Sequence, residues 1–339
     1  MIYIILGLLL AVGIFFAWKS IRDAYFPIPM KPRPEWEPYV NTLDAKQEAL
    51  FINANGTQLE AALFIPEGGN NQKPAVVFSP GSGDSLFSNY AEGFIETFIL
   101  EVFLPRDFAV LLVNKRGMGH SGGSYVKNSI EGRAEDLYAS VQTLQAHPQI
   151  DPKHVGVIGH SQGGWVVMHV VGEHPDVAFF ISLAGPVTTI YEQTVSRHGI
   201  YASCIGLSGD EYEDYINKQI RKIELGMKIG EITNFGLLGF DYRTMHYSPK
   251  DVLLQISNPG LYVFGTNDIL VTPSVNYERL EEIFDGEVPS NLKTVEIAGA
   301  THSFRLIEDI CDFSGSPEDQ EQASQLVEEL NNWLAVQGY

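Results

Sequence analysis

Five residues, Gly159-His160-Ser161-Gln162-Gly163, stand directly between an apolar run, HVGVI, and a helical stretch beginning QGGWVVMHVV. A serine flanked by glycines at this spacing fits a sharp strand-to-helix turn, because the missing side chains relieve crowding around the bend. The turn holds the serine in a strained backbone conformation at the edge of a sheet. The N–H groups of the following helix then face any negative charge that develops there. Ser161 is thus a candidate nucleophile, and Gly159, His160 and Gly163 form the turn around it. The competing role is that of an ordinary helix cap.

The remaining chain supplies the sheet this turn needs. EALFINANGTQLEAALFIP reads as a β-hairpin turning at Asn55-Gly56, and PAVVFSP and FAVLLVN read as short strands buried on both faces. SNYAEGFIETFILEVFL, between those strands, has helical periodicity. A helix (SIEGRAEDLYASVQTLQAHP), the strand HVGVIGH, a second helix and the strand VAFFISLAGP follow in alternation. This pattern predicts a mostly parallel α/β sheet with helices on both faces. The alternation breaks over about residues 188–249, where no strand is evident and EYEDYINKQIRKIELGMKIG reads as an amphipathic helix. An inserted helical cap is expected there. Strands resume at GLYVFG and LKTVEIAG, and PEDQEQASQLVEELNNWLAVQ closes the chain as an amphipathic helix.

A serine hydroxyl attacks only when a base removes its proton and a third group orients that base. His302, in AGATHSF after the last strand, is the expected base. Asp268, in LYVFGTNDILVTP just beyond the preceding strand, is the expected carboxylate, with a turn-capping role as its alternative. Asp176 is a competitor for the same task.

The chain order Ser161, Asp268, His302 resembles that of the α/β-hydrolase superfamily over roughly residues 48–337. The resemblance implies the α/β-hydrolase fold and a nucleophile elbow at Ser161. It also implies an oxyanion hole made by the backbone N–H groups of Gln162 and Ser82. Ser82 lies in Ser79-Pro80-Gly81-Ser82-Gly83, which is similar to the family's HGxG loop with Ser79 in place of histidine. Asn114-Lys115-Arg116-Gly117-Met118-Gly119-His120-Ser121 is similar to its DxRGxGxS segment, with Asn114 in the aspartate position and Arg116 expected to shape the loop. The branch resembled is that of esterases, thioesterases and dienelactone hydrolases, bordering on serine peptidases, and it implies neither cofactor nor metal.

Residues Ile2 to Trp18 form an uncharged apolar run that would rise roughly 25 Å as a helix, close to the thickness of a bilayer core. Residues 1–19 are therefore expected to be a membrane anchor, residues 20–45 a proline-rich linker, and residues 46–339 the catalytic domain. Lys19, Arg22, Lys31 and Arg33 follow the run, which by the positive-inside rule puts that domain on the cytoplasmic face. The 42 acidic against 22 basic residues give a formal charge of −20, a field that repels nucleic acid. The two cysteines, Cys204 and Cys311, are expected as free thiols.

The expected activity is hydrolysis of a small carboxylic ester or thioester through an acyl-serine intermediate. A peptidase or amidase is the near alternative, with Glu211, Glu213 and Asp214 of the cap as binders of a substrate amine. Acyl transfer to another acceptor and a non-catalytic scaffold are more distant. The cap segment NFGLLGF is a candidate lining for an acyl pocket.

Overall fold

The computed structural model describes residue 13 and residues 45–68, 71–83, 85–90, 93–233, 244, 247–312 and 320–339. Asn55 and Gly56 both take positive φ, 49° and 83°, as a two-residue type I′ turn requires. They join strand β1 (Ala45–Ala54) to its antiparallel neighbour β2 (Thr57–Pro66). The other strands are β3 (Lys73–Ser79), β4 (Ala109–Val113), β5 (Ile150–His160), β6 (Phe180–Leu183), β7 (Gly260–Gly265) and β8 (Leu292–Ile297). They form one sheet in the order β1-β2-β4-β3-β5-β6-β7-β8. Pairings from β4 to β8 are parallel, so the carboxyl ends of β3, β5, β7 and β8 share one edge.

Both faces of the sheet are covered, and the two-residue period of the strands divides their side chains between two cores. Ala75 and Val77 of β3 point into one cluster with Trp165, Val167, Leu137 and Leu280. Val76 and Phe78 point into the other, with Phe94, Phe98, Leu330 and Trp333. The first core is closed by helices α1 (Ile130–Gln145), α2 (Gln162–Glu173) and α5 (Pro273–Ile283), the second by α6 (Ser324–Val336). Each fully buried Val, Leu, Ile or Phe contributes about 1.5–3 kcal/mol to holding these layers together.

Between β6 and β7 lie the two long cap helices, α3 (Ile190–Cys204) and α4 (Gly209–Thr233). α3 starts with a capping box, in which Thr189 Oγ1 accepts from the Glu192 N–H while Glu192 Oε2 accepts from the Thr189 N–H. The segment NFGLLGF lies outside the described residues.

Several expectations need correction. The helix read across residues 88–104 runs from Phe94 to Phe103, with its middle, Glu96–Leu100, widened to a π-helical turn, and a separate 3₁₀ turn, Phe87–Asn89, precedes it. The wider π turn lets consecutive Phe98, Ile99 and Leu100 all be buried, which exceeds the single stripe of a regular α-helix. The closing helix begins at Ser324, and α5 between β7 and β8 was not read as a helix. Cys204 and Cys311 are not free thiols. They form a disulfide across 107 residues of sequence, with Cα atoms 5.3 Å apart, tying the end of α3 to the loop beyond His302. All of the proposed anchor except residue 13, and all of the linker except residue 45, lie outside the described residues. Among those described, no helix is long and apolar enough to cross a membrane.

Candidate active site

β5 ends at His160, and the chain turns immediately into α2. At the turn Ser161 has φ 54° and ψ −126°, a strained conformation for a residue with a side chain. Close packing enforces it. A Cβ on Gly159 would lie 2.1 Å from the Gly163 carbonyl oxygen, and one on Gly163 would lie 2.2 Å from that of Ser79. Only glycine fits at either position, so the elbow presses directly against the loop after β3.

His302 and Asp268 follow β8 and β7 and meet at the same sheet edge. His302 Nδ1 lies 2.7 Å from Asp268 Oδ2. Asp268 is completely buried, and its other oxygen accepts the N–H groups of Leu270 and Val271 at 2.7 and 2.9 Å. Three hydrogen bonds thus hold the carboxylate and aim it at Nδ1, which leaves Nε2 as the free nitrogen of the ring. Asp176 is exposed and hydrogen-bonds to Tyr138 and Gln145.

Gly81, Ser82, Ser161, Gln162 and His302 line one cavity of about 500 Å³. In the loop after β3, the Gly81 N–H donates to Tyr90 Oη at 2.8 Å and the Gly83 N–H to Tyr125 Oη at 2.9 Å. The intervening Ser82 amide is left for an occupant of the cavity. Gln162 is the first residue of α2, so its N–H has no acceptor within the helix.

Two buried cations that the sequence reading passed over shape this loop. Lys115 Nζ donates to the carbonyls of Gly81, at 2.9 Å, and Gly83. Arg133 donates to the Pro80 carbonyl and to Gln162 Oε1, each at 2.5 Å. With these carbonyls held on the buried side, the loop is fixed against the elbow. Arg133 had a signal: it occupies the stripe Ile130, Arg133, Ala134, Leu137, Val141, whose other members are apolar. Arg116 is structural as expected, gripping Asp136 through Nε and Nη2 at 2.6–2.9 Å. Asn114 donates to Glu60 Oε2 and accepts the Phe87 N–H, both at 2.9 Å. An aspartate there could not donate, and it would face a second carboxylate.

His160 links three parts of the site. Its Nε2 lies 2.8 Å from the His302 carbonyl oxygen, which can only accept, so Nε2 carries the proton. Nδ1 then accepts from Tyr90 Oη at 2.5 Å, and that oxygen in turn accepts the Gly81 N–H. The arrangement needs a neutral ring. Burial, with a smaller effect from the nearby His302, depresses the His160 pKa to about 3.

Glu211, Glu213 and Asp214 are exposed on α4 and do not line the cavity, and among the described residues that do, none is acidic. Among the described residues no group of His, Cys, Asp and Glu side chains is placed to hold a metal ion.

The prolyl oligopeptidase family profile matches residues 96–219. A Pyrococcus furiosus esterase superimposes with a TM-score of 0.58 at 18% identity, covering 91% of this chain and 96% of the other. The chain has the α/β-hydrolase fold. A puromycin-hydrolysing peptidase of Mycobacterium tuberculosis shares this α/β-hydrolase fold at a TM-score of 0.56 and 19% identity, covering 91% of this chain and 42% of its own. By sequence, the chain is 26% identical over 182 residues to the human acylamino-acid-releasing enzyme. That alignment takes in 51% of this chain but only 23% of the human enzyme.

Proposed function

We propose that the protein is a serine hydrolase that cleaves a carboxylic ester or thioester through an acyl-serine intermediate. The observation that carries this reading is the buried, doubly anchored Asp268 bonded to His302 Nδ1 in the cavity that contains Ser161. Ser161 Oγ attacks the substrate carbonyl while His302 Nε2 takes its proton. Asp268 holds the Nδ1–H tautomer and stabilises the imidazolium. The Ser82 and Gln162 amides receive the oxyanion, each contributing about 3 kcal/mol of transition-state stabilisation. His302 then returns the proton to the leaving group, and water repeats the sequence on the acyl-enzyme.

Cleavage of small peptides or amides is the second reading, favoured by the prolyl oligopeptidase match. The described lining of the cavity offers Arg197 and no carboxylate, which favours the ester reading over recognition of a substrate amine. Rates on p-nitrophenyl acyl esters and aminoacyl-arylamides, measured side by side, separate the two: preference for the arylamides overturns the esterase reading. A fluorophosphonate that labels wild type but not Ser161→Ala establishes the nucleophile, whereas equal labelling of both removes it.

The apolar run from Ile2 to Trp18 supports a membrane anchor for the full chain. The Cys204–Cys311 disulfide favours an oxidising compartment for the catalytic domain, the side opposite to the one its basic flank indicates. Protease added to intact cells digests the domain if it faces outward and spares it if it is cytoplasmic.

A further inference from the structure

One face of α3 forms a side of the cavity: Ile190, Gln193, Thr194 and Arg197, at positions i, i+3, i+4 and i+7, all line it. Two of these are satisfied by the start of the helix. Thr194 Oγ1 donates to the Ile190 carbonyl at 2.7 Å, and Gln193 Nε2 to that of Thr189 at 3.3 Å. Arg197 is half-buried, and among the described residues no carboxylate pairs with it. Other cations of the fold have partners in place: Lys73 is paired with Asp107, Arg116 with Asp136 and Arg279 with Glu192 and Glu282, while Lys115 and Arg133 donate to backbone carbonyls.

Among the described residues that line the cavity none is acidic, although the chain carries 42 acidic residues, so none of them compensates the charge of Arg197. His198 next to it has a pKa lowered by burial and by the positive charges of Arg197 and of Lys222 on α4. A guanidinium presents a planar fork of donors matched to a carboxylate, and it accepts no hydrogen bond itself.

We propose that Arg197 binds a carboxylate of the substrate, so that the preferred substrates are acyl esters or thioesters bearing an anionic group away from the scissile carbonyl. The inference rests on the hydrolase reading of Ser161 and adds a substrate class to it. Arg197 acts in specificity, while the bond-breaking steps remain with Ser161 and His302.

Two matched pairs of esters test it on the full-length protein. Mono-p-nitrophenyl adipate against p-nitrophenyl hexanoate places the carboxylate on the acyl side, and 4-acetoxybenzoate against phenyl acetate places it on the alcohol side. Wild type prefers the carboxylate member of at least one pair by about tenfold or more in kcat/KM, the scale of one charged hydrogen bond. Arg197→Gln lowers that ratio by about the same factor, mainly through KM, and Arg197→Lys retains part of it. A ratio that stays within about twofold of wild type in Arg197→Gln for both pairs overturns the assignment. Binding gives an independent reading: adipate raises the melting temperature of wild type but not of Arg197→Gln, and an equal effect on both also overturns it. A protein that cleaves no ester and resists fluorophosphonate fails the hydrolase reading, and the adipate experiment still decides the anion site.

Discussion

Replacing Asp268 with asparagine changes one atom in the site, and its neighbours dictate the consequence. The N–H groups of Leu270 and Val271 both point at Oδ1. Asparagine must keep its carbonyl oxygen there, since turning its amide toward two donors would forfeit two buried hydrogen bonds at about 1–3 kcal/mol each. The amide NH₂ therefore faces His302 Nδ1, which has to become an acceptor, and the ring proton moves to Nε2. A protonated Nε2 cannot take the proton of Ser161. The expected loss in kcat near neutral pH is about 10⁴-fold, or about 5.5 kcal/mol of transition-state stabilisation, with the fold intact. Initial rates on a p-nitrophenyl ester, normalised to folded protein by circular dichroism, measure it. An Asp268→Asn variant retaining more than about a tenth of wild-type kcat refutes both the tautomer argument and the role of Asp268.

Three further outcomes follow from the same geometry. His160, with its folded pKa depressed to about 3 by burial, titrates near 6.5 in the unfolded chain. The unfolded state then binds the extra proton below about pH 6.5, and stability falls by about 1.4 kcal/mol per pH unit down to about pH 3. Urea unfolding at successive pH values shows a shallower decline in His160→Gln, and identical slopes refute the neutral, buried ring. The disulfide closes a loop of 107 residues, so reduction costs about 4–5 kcal/mol in the chain-entropy account. Denatured, unreduced protein shows no reactive thiol, and reductant exposes both cysteines and lowers the urea midpoint. Finally, a Cβ at position 163 would sit 2.2 and 2.9 Å from the carbonyl oxygens of Ser79 and Pro80. Gly163→Ala thus displaces the loop carrying Ser82 and lowers kcat about 10²-fold or more; ordinary turnover would refute the contact between elbow and loop.

The residues most legible in the sequence are those whose position depends on local connectivity. Ser161, Asp268 and His302 each follow a recognisable strand, and parallel strands bring those ends together without knowledge of any side-chain packing. Ser82 and Gln162, which line the same cavity, came instead from the resemblance of their segments to the family's loop and elbow. Tyr90, Lys115 and Arg133 were not legible, because each reaches its partner from a separate segment and only the folded backbone brings them together. The pairing of Cys204 with Cys311 belongs to this class, since spacing along the chain says nothing about where the end of a cap helix lands. The π turn at Glu96–Leu100 was hidden differently: local periodicity favours a regular helix there, and burial of three consecutive apolar residues overrides it.

α3 is fastened to the elements that follow the sheet at several points between its start and its last residue. The Val187 N–H just before it donates to Asn276 Oδ1 at 2.8 Å, Glu192 pairs with Arg279, and Ser196 Oγ donates to Thr272 Oγ1 at 2.9 Å. The disulfide secures its last residue. These contacts hold the face that α3 turns toward Ser161, so the side chains at 190, 193, 194 and 197 sit on a braced mount. Exchanging them is expected to change which molecules the cavity admits and to leave the residues at the strand ends, which come from other segments, in place.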